Sequence, residues 1–186
     1  MLEILNFWPN GGQRYDDSQY ATQRSIAEAR RQWVEHGWAD ASTGMAIVTS
    51  ITRAEQLFLK TIDAELRPFD LSFSRYEFLR LLAFTRQGAL PLSKASARLQ
   101  VHPTTVTSTV DRLEDQGFVQ RVPHPTDRRT TLVEILPEGR RVVDAATSTL
   151  NAAVFSSLGL SESEASSLLE LLTRLRAAHG DLDEKV

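Results

Sequence analysis

The stretch His102-Pro103-Thr104-Thr105-Val106-Thr107-Ser108-Thr109-Val110-Asp111-Arg112-Leu113-Glu114-Asp115-Gln116-Gly117 decides how this chain is read. Pro103 suits a first helical position, where its missing N–H is not needed, and Gly117 is a stop. Val106, Val110 and Leu113 fall on one side at spacings of four and three, a face for the core. The other side carries Thr104, Thr105, Thr107, Ser108, Asp111 and Arg112. Five hydroxyl residues, Thr104, Thr105, Thr107, Ser108 and Thr109, exceed capping needs and lower helix propensity. Short hydroxyl side chains let a helix approach a major groove closely, donate to phosphates and offer Thr methyls to thymine methyls. The helix dipole and free N–H groups around Thr104 and Thr105 add an anion site. The plainer reading, hydroxyls serving as helix-start caps, accounts for one or two of them.

Ahead of it, Ser93-Lys94-Ala95-Ser96-Ala97-Arg98-Leu99 reads as a two-turn helix, so the segment is helix, tight turn, helix. Ser93 and Lys94 at the first helix start, and His102 at the second, join the candidate DNA contacts. Beyond Gly117 the period changes: Phe118–Val122 and Thr131–Leu136 alternate as two strands of a ribbon. Between them, Pro123-His124-Pro125-Thr126-Asp127-Arg128-Arg129-Thr130 is a hairpin tip rich in turn formers and positive charge. A guanidinium from Arg128 or Arg129 can enter the narrow minor groove, where the potential over A·T-rich sequence is most negative. Asp127, two residues ahead of Arg129, is expected to hold that arginine in one rotamer. The bland alternative is a solvated tip with a surface ion pair of little worth.

On the N-terminal side, residues 1–20 read as an arm, broken at Pro9-Asn10-Gly11-Gly12 and either loosely ordered or docked on another subunit. Helices are expected from Thr22 to His36 and from Thr43 to Arg67, the second ended by Pro68. Ser74-Arg75-Tyr76-Glu77 has capping-box form, with Phe73 and Phe78 as its staple, and opens a helix closed by Gly88. After the ribbon, Pro137 restarts helix to about Leu158. A second box, Ser161-Glu162-Ser163-Glu164, leads Ala165, Leu168, Leu172 and Leu175. The expected organisation is an arm (1–20), N-terminal helices for dimerisation and pocket (21–70), a winged helix-turn-helix lobe (71–136) and C-terminal dimerisation helices (137–186). The fold class is mainly α with a small β part (α+β), and the apolar stripes of the flanking helices call for a second subunit.

Composition sets the limits. The chain has 186 residues, a formal net charge of -3 and no cysteine, which excludes disulfides, thiolate metal sites and cysteine nucleophiles. No apolar run approaches the roughly 18–20 residues of a membrane span, and the start lacks signal-peptide features, so the expected location is cytoplasmic with no membrane partner. The net charge hides a division: residues 71–141 hold 11 Lys+Arg against 7 Asp+Glu, the rest 10 against 17. A basic lobe is the electrostatic footprint of phosphate binding. His36, His102, His124 and His179 are scattered, so neither a metal site nor a cofactor is expected, and no nucleophile or acid/base constellation points to an enzyme. The rival reading is a winged helix that docks a partner protein instead of DNA.

Leu92–Leu99, Thr104–Glu114, Gly117-Phe118-Val119, and Asp127-Arg128-Arg129 with Leu132–Gly139 resemble the MarR (multiple antibiotic resistance regulator) family over residues 43–178. One departure is Pro137, where the family usually has Thr; Pro also suits a first helical position. The resemblance implies a homodimer on a pseudo-palindromic operator of double-stranded DNA. It also implies a repressor released by a small-molecule effector, aromatic or acidic, held between the dimerisation helices and the DNA lobe. Without cysteine, the family's thiol-oxidation mode of sensing is absent. The leading helix with Trp33 is similar to the urate-responsive branch, but Leu79 and Thr109 stand where that branch carries an Asp and an Arg. Phenolic acids, acyl-CoA thioesters and lipophilic drugs stay open as effectors. Trp33, Met45, Thr49, Arg53, Phe69, Tyr76 and Arg80 are the candidate ligand residues, with core or interface packing as their alternative role.

Overall fold

The computed structural model describes residues 22–127 and 129–181, so the expected arm (1–20) and Arg128 lie outside the described residues. The chain divides into two compact units, one up to Gln56 and one from Leu57.

In the first unit, α1 (Thr22–Glu35) places Ile26, Ala29 and Trp33 on its more buried side, as their spacing requires. Gly37 reverses the chain at φ +86, and the Trp38 N–H donates to the Trp33 carbonyl at 2.9 Å. The two indoles meet edge to face, centroids 5.3 Å apart. The next helix, α2 (Ala39–Leu66), begins before the expected Thr43 because the Ala41 N–H already bonds the Trp38 carbonyl and Asp40 favours the positive helix start. Ile47, Val48 and Ile51 are exposed on it.

The second unit takes in the end of α2. Pro68 does not stop the helix by itself: α2 ends at Leu66, and Pro68 lies inside a 3-10 turn, Arg67–Phe69, whose first positions need no N–H donor. Asp70 then adopts φ 52 and α3 (Phe73–Phe84) follows. Its cap is Ser72, whose Oγ accepts from the Arg75 N–H, and not the expected Ser74. Ser74 is the second helical residue, so its box with Glu77 and the Phe73–Phe78 staple do not form; Phe73 stacks on Tyr76 instead. Starting two residues earlier buries Leu71 and Tyr76 on either side of the cap, and that burial decides the start.

The remaining elements are β1 (Ala89–Pro91), α4 (Leu92–Leu99), α5 (Pro103–Asp115), β2 (Val119–Pro123), β3 (Thr131–Ile135), α6 (Pro137–Leu150) and α7 (Glu162–Ala178). The ribbon is therefore part of a three-stranded antiparallel sheet in the order β1-β3-β2, with Leu90 opposite Val133 and Val119 opposite Ile135. A three-residue edge strand ending in Pro91 shows no alternation in sequence, and its proline is tolerated only because it is at the edge. Regular helix in α6 also ends sooner than Leu158: Asn151–Phe155 is a π-helical turn. The second capping box forms as read, with Ser161 and Glu164 capping each other's backbone at the start of α7.

Phe78, Leu79, Leu82, Val106, Val110, Leu113, Val119, Val133, Val143 and Leu150 are fully buried together, so the sheet, α3, α5 and α6 share one core. Among the described residues no helix is long and apolar enough to cross a membrane.

Gly139 lets α6 close on the strand entry. A Cβ there would sit 2.3 Å from the Phe118 carbonyl oxygen, which also accepts the Leu136 N–H at 2.9 Å. Gly139→Ala is expected to destabilise the second unit by about 1–3 kcal/mol, as overpacking does. Urea unfolding measures it, and an unchanged midpoint refutes the packing.

Candidate nucleic-acid interface

The apolar face of α5 is anchored in the core, so its hydroxyl face has one place to go. Thr104, Thr105, Thr107, Ser108, Asp111 and Arg112 are all exposed, whereas Val106, Val110 and Leu113 are 2%, 0% and 0% exposed. His102 is the N-cap: its Nδ1 accepts from the Thr104 N–H at 3.3 Å and lies 2.8 Å from Thr104 Oγ1. With Nδ1 accepting, the neutral ring carries its proton on Nε2. The N–H groups of Thr104 and Thr105 are consequently not free, contrary to the expectation from sequence. The first is taken by His102 Nδ1 and the second by the His102 carbonyl at 2.9 Å. The physical reason is that an imidazole can act as a capping acceptor, which satisfies the orphan donors before any anion arrives.

The hydroxyls differ among themselves. Thr107 donates to the Pro103 carbonyl at 3.1 Å and Ser108 to the Thr105 carbonyl at 3.0 Å, so their outward lone pairs are acceptors. Among the described residues the Thr105 hydroxyl has no such internal bond. Ser93 and Lys94 are exposed in the first turn of α4, ahead of the turn to α5.

At the ribbon tip Asp127 holds backbone and not guanidinium. Its Oδ1 accepts the Arg129 N–H at 3.0 Å and its Oδ2 accepts the Thr130 hydroxyl at 2.7 Å. An aspartate two residues ahead of an N–H closes an Asx turn, which needs no long side chain to be ordered, so this bond wins over the expected Arg129 ion pair. His124 Nδ1 accepts from the N–H groups of Thr126 and Asp127, at 3.3 and 3.2 Å. The Thr130 hydroxyl, then the Arg129 amide, hold the Asp127 carboxyl below its ordinary value.

Sequence reading missed the residue that ties wing to helix. From β2, Arg121 donates to Glu114 Oε2 and, at 2.5 Å, to Asp111 Oδ1, while its own N–H donates to Glu114 Oε1 at 3.0 Å. Burial works against its charge, but the bonds to Asp111 and Glu114 prevail and hold the guanidinium above its ordinary value. Two acids of α5 are thereby neutralised. Other cations are likewise engaged: Arg75 with Ser72 and Gln116, Arg140 with the Ala83 carbonyl, and Arg141 with Glu138. Among the described residues of the lobe, the side chains of Arg86, Lys94, Arg98, Arg112 and Arg129 make no hydrogen bond or ion pair. The only sequence hint of this sorting is that Asp111, Glu114 and Arg121 lie within hairpin reach of one another.

Of the candidate ligand residues, Trp33, Met45, Thr49 and Arg53 belong to the first unit. Thr49 Oγ1 there lies 3.6 Å from Met45 Sδ, and Arg53 bonds Gln56 at 3.4 Å. In the second unit Phe69 is half-buried, and Tyr76 and Arg80 converge on Thr147 of α6, with oxygen–oxygen and nitrogen–oxygen distances of 3.2 and 2.7 Å. Arg80 Nη2 also reaches the Val143 carbonyl at 2.8 Å and Asp144 at 2.7 Å, and the guanidinium lies 5.2 Å from the Phe84 ring centroid. Its Nε is buried without a partner. A separate open cleft of about 410 Å³ is lined by Asp70, Arg75, Arg112, Asp115 and Gln116, where the Gln116 amide bridges Asp70 and Arg75. Among the described residues no three His, Asp or Glu side chains cluster as metal ligands.

Comparison with known proteins is consistent with this geometry. The model of the MarR family matches residues 71–131. A MarR family transcriptional regulator from Streptomyces coelicolor is 46% identical, with a TM-score of 0.68 over 76% of this chain and 99% of that one. A mutant MarR from E. coli, crystallised with operator DNA, is 20% identical and shares the fold, with a TM-score of 0.66 over 73% of this chain and 96% of that one. CouR from Rhodococcus jostii, bound to p-coumaroyl-CoA, is 25% identical, with a TM-score of 0.62 over 69% and 90% of the two chains. The chain spans about half the length of the curated relatives it matches.

The wing turn makes a titration prediction. Because the folded Asp127 carboxyl titrates below its ordinary value, its bonds hold above that value and are lost as pH falls through the lowered one. Thr130→Val is expected to move the Asp127 midpoint upward toward 3.8, read by carboxyl NMR. A midpoint unmoved by the substitution refutes the turn.

Proposed function

The chain belongs to the MarR family of transcriptional regulators, and on that premise we propose that it is a DNA-binding regulator acting as a homodimer. It is a repressor, released from a pseudo-palindromic operator by a small aromatic or acidic ligand. The observation that carries this reading is the division of α5 into a fully buried apolar face and an exposed hydroxyl face flanked by unpaired cations. The two α5 helices of a dimer enter successive major grooves about 34 Å apart, and the wing Arg129 reaches the flanking minor groove. Lys94 and Arg112 meet phosphates, and Ser93, His102, Thr104, Thr107 and Ser108 add polar contacts along the backbone. Thr105, with its hydroxyl uncommitted, reads a base edge.

The exposed leucines of α7 support the dimer. Leu168, Leu171 and Leu175, at spacings of three and four, are 45%, 59% and 38% exposed, a stripe that a second copy would cover. Arg80 supports an anionic ligand. Its Nη2 is shared by three acceptors while its buried Nε has none, and a carboxylate or thioester oxygen would complete it. The relative crystallised with p-coumaroyl-CoA carries a ligand of that class, aromatic at one end and anionic at the other. Urate fits poorly, because Leu79 is buried in the core and Thr109 is uncharged. Ligand binding shifts the dimer between two spacings of α5, by no more than its differential affinity for them.

Arg129→Ala tests the wing. Affinity for an operator selected from random duplexes should fall by about 1–3 kcal/mol, and the log–log salt slope should drop by about one. Unchanged affinity at fixed salt refutes the wing contact, and a wild-type protein without steep salt dependence refutes DNA binding itself. Thr105→Ala should redistribute preference among operator variants more than Ser108→Ala does, measured by competition binding. Uniform weakening across all sequences would reduce Thr105 to a phosphate contact.

A further inference from the structure

The turn between α4 and α5 is fastened from outside the winged helix. Gln100, the C-cap of α4, sits at φ 52 and ψ 40, the left-handed region that costs any residue with a side chain. Glycine adopts this conformation without penalty, so a turn that only reverses the chain has no use for glutamine here. The side chain has another task. Arg176 Nη2, near the end of α7, donates to Gln100 Oε1 at 2.7 Å, and Gln100 Nε2 donates to the Asp181 carbonyl at 2.7 Å. Arg176 Nε donates to Asp181 Oδ2 at 2.5 Å, and the Asp181 N–H closes on the Arg176 carbonyl at 3.1 Å, with Gly180 at φ +73 making the reversal. Both ends of the amide are thus spent on α7 and the turn that follows it. On the other side the turn is tied locally, since the Ser96 hydroxyl donates to the Val101 carbonyl at 2.6 Å.

We propose that Gln100, Arg176 and Asp181 form a positioning brace, through which the seating of α7 sets the start of α5. The inference rests on the reading of α5 as the DNA-recognition helix. Gln100 lies two residues before His102, the N-cap of α5, so a shift of the amide is passed to the cap with only Val101 between. The helix holding the amide also carries the exposed leucine stripe assigned to the second copy. Covering that stripe and ordering the recognition-helix start therefore favour one arrangement, and each biases the other. None of the three brace residues has to touch DNA.

Gln100→Gly separates the brace from the turn. Glycine relieves the left-handed backbone, so Tm should hold or rise, while affinity for the selected duplex falls about fivefold to tenfold. Arg176→Ala should lose affinity to the same degree, the double variant no more than either single one, and Arg176→Lys should recover part of it. All are measured on the full chain, with the oligomeric mass followed by light scattering and held constant. In DNA-free protein, amide exchange over residues 101–106 should quicken in both single variants. Wild-type affinity and exchange in the variants overturn the brace, as does a fall in Tm with affinity unchanged. Quickened exchange in a protein that selects no duplex at all keeps the brace and removes the reading of α5 as a DNA helix.

Discussion

Burying Val106, Val110 and Leu113 is the constraint on which the second unit depends. Each such side chain contributes about 1.5–3 kcal/mol when removed from water. All three lie on one face, so α5 can rotate only by exposing them together. That penalty exceeds what the hydroxyl face could gain by turning inward, where its oxygens would need new partners. The helix is therefore held in one rotation, with Thr105, Ser108 and Arg112 outward. The strand that follows is held in turn: Arg121 returns to Asp111 and Glu114 on the same helix, so β2 is fastened to α5 by side chains as well as by the turn between them.

Charge is sorted by pairing as much as by composition. The lobe that carries the excess of Lys and Arg also carries acids on its exposed helix, which would repel phosphate if left alone. Arg121 neutralises two of them without leaving the lobe, and Arg75, Arg140 and Arg141 are likewise occupied with nearby oxygens. Within the described residues of the lobe, 71–141, five cationic side chains remain unpaired, among them Lys94 in the first turn of α4, Arg112 on the exposed face of α5 and Arg129 on the wing. A net charge of -3 for the whole chain is thus uninformative about this surface. Local pairing decides which charges are available to a polyanion.

Two capping boxes with the same sequence form show where reading a sequence succeeds and where it stops. Ser161 with Glu164 forms the reciprocal bonds, because the residues ahead of it belong to no other element and nothing competes for the start. Ser74 with Glu77 has the same spacing, yet Ser72 caps α3, because starting there puts Leu71 and Tyr76 in the core. Local chemistry proposes a helix start, and burial chooses between neighbouring ones. The same competition hides β1, three residues whose pairing with β3 is the only thing that makes them a strand. At the wing, the pairing of Asp127 with Arg129 was legible as a contact, but the partner is the backbone N–H and not the guanidinium.

The helix-turn-helix and ribbon, the two faces of α5, the basic character of the lobe and the family to which the chain belongs are readable from the residues in order. These follow from period, turn residues and local charge, all short-range properties that a linear string carries. Packing settled which cations stay unpaired, that Arg121 clamps Asp111 and Glu114, and that Arg80 keeps a buried Nε without an acceptor. It also decided that Gln100 is gripped by Arg176 and Asp181. Each of those is a contact between side chains distant along the chain or turned by packing, and its partner exists only once the core has placed both ends.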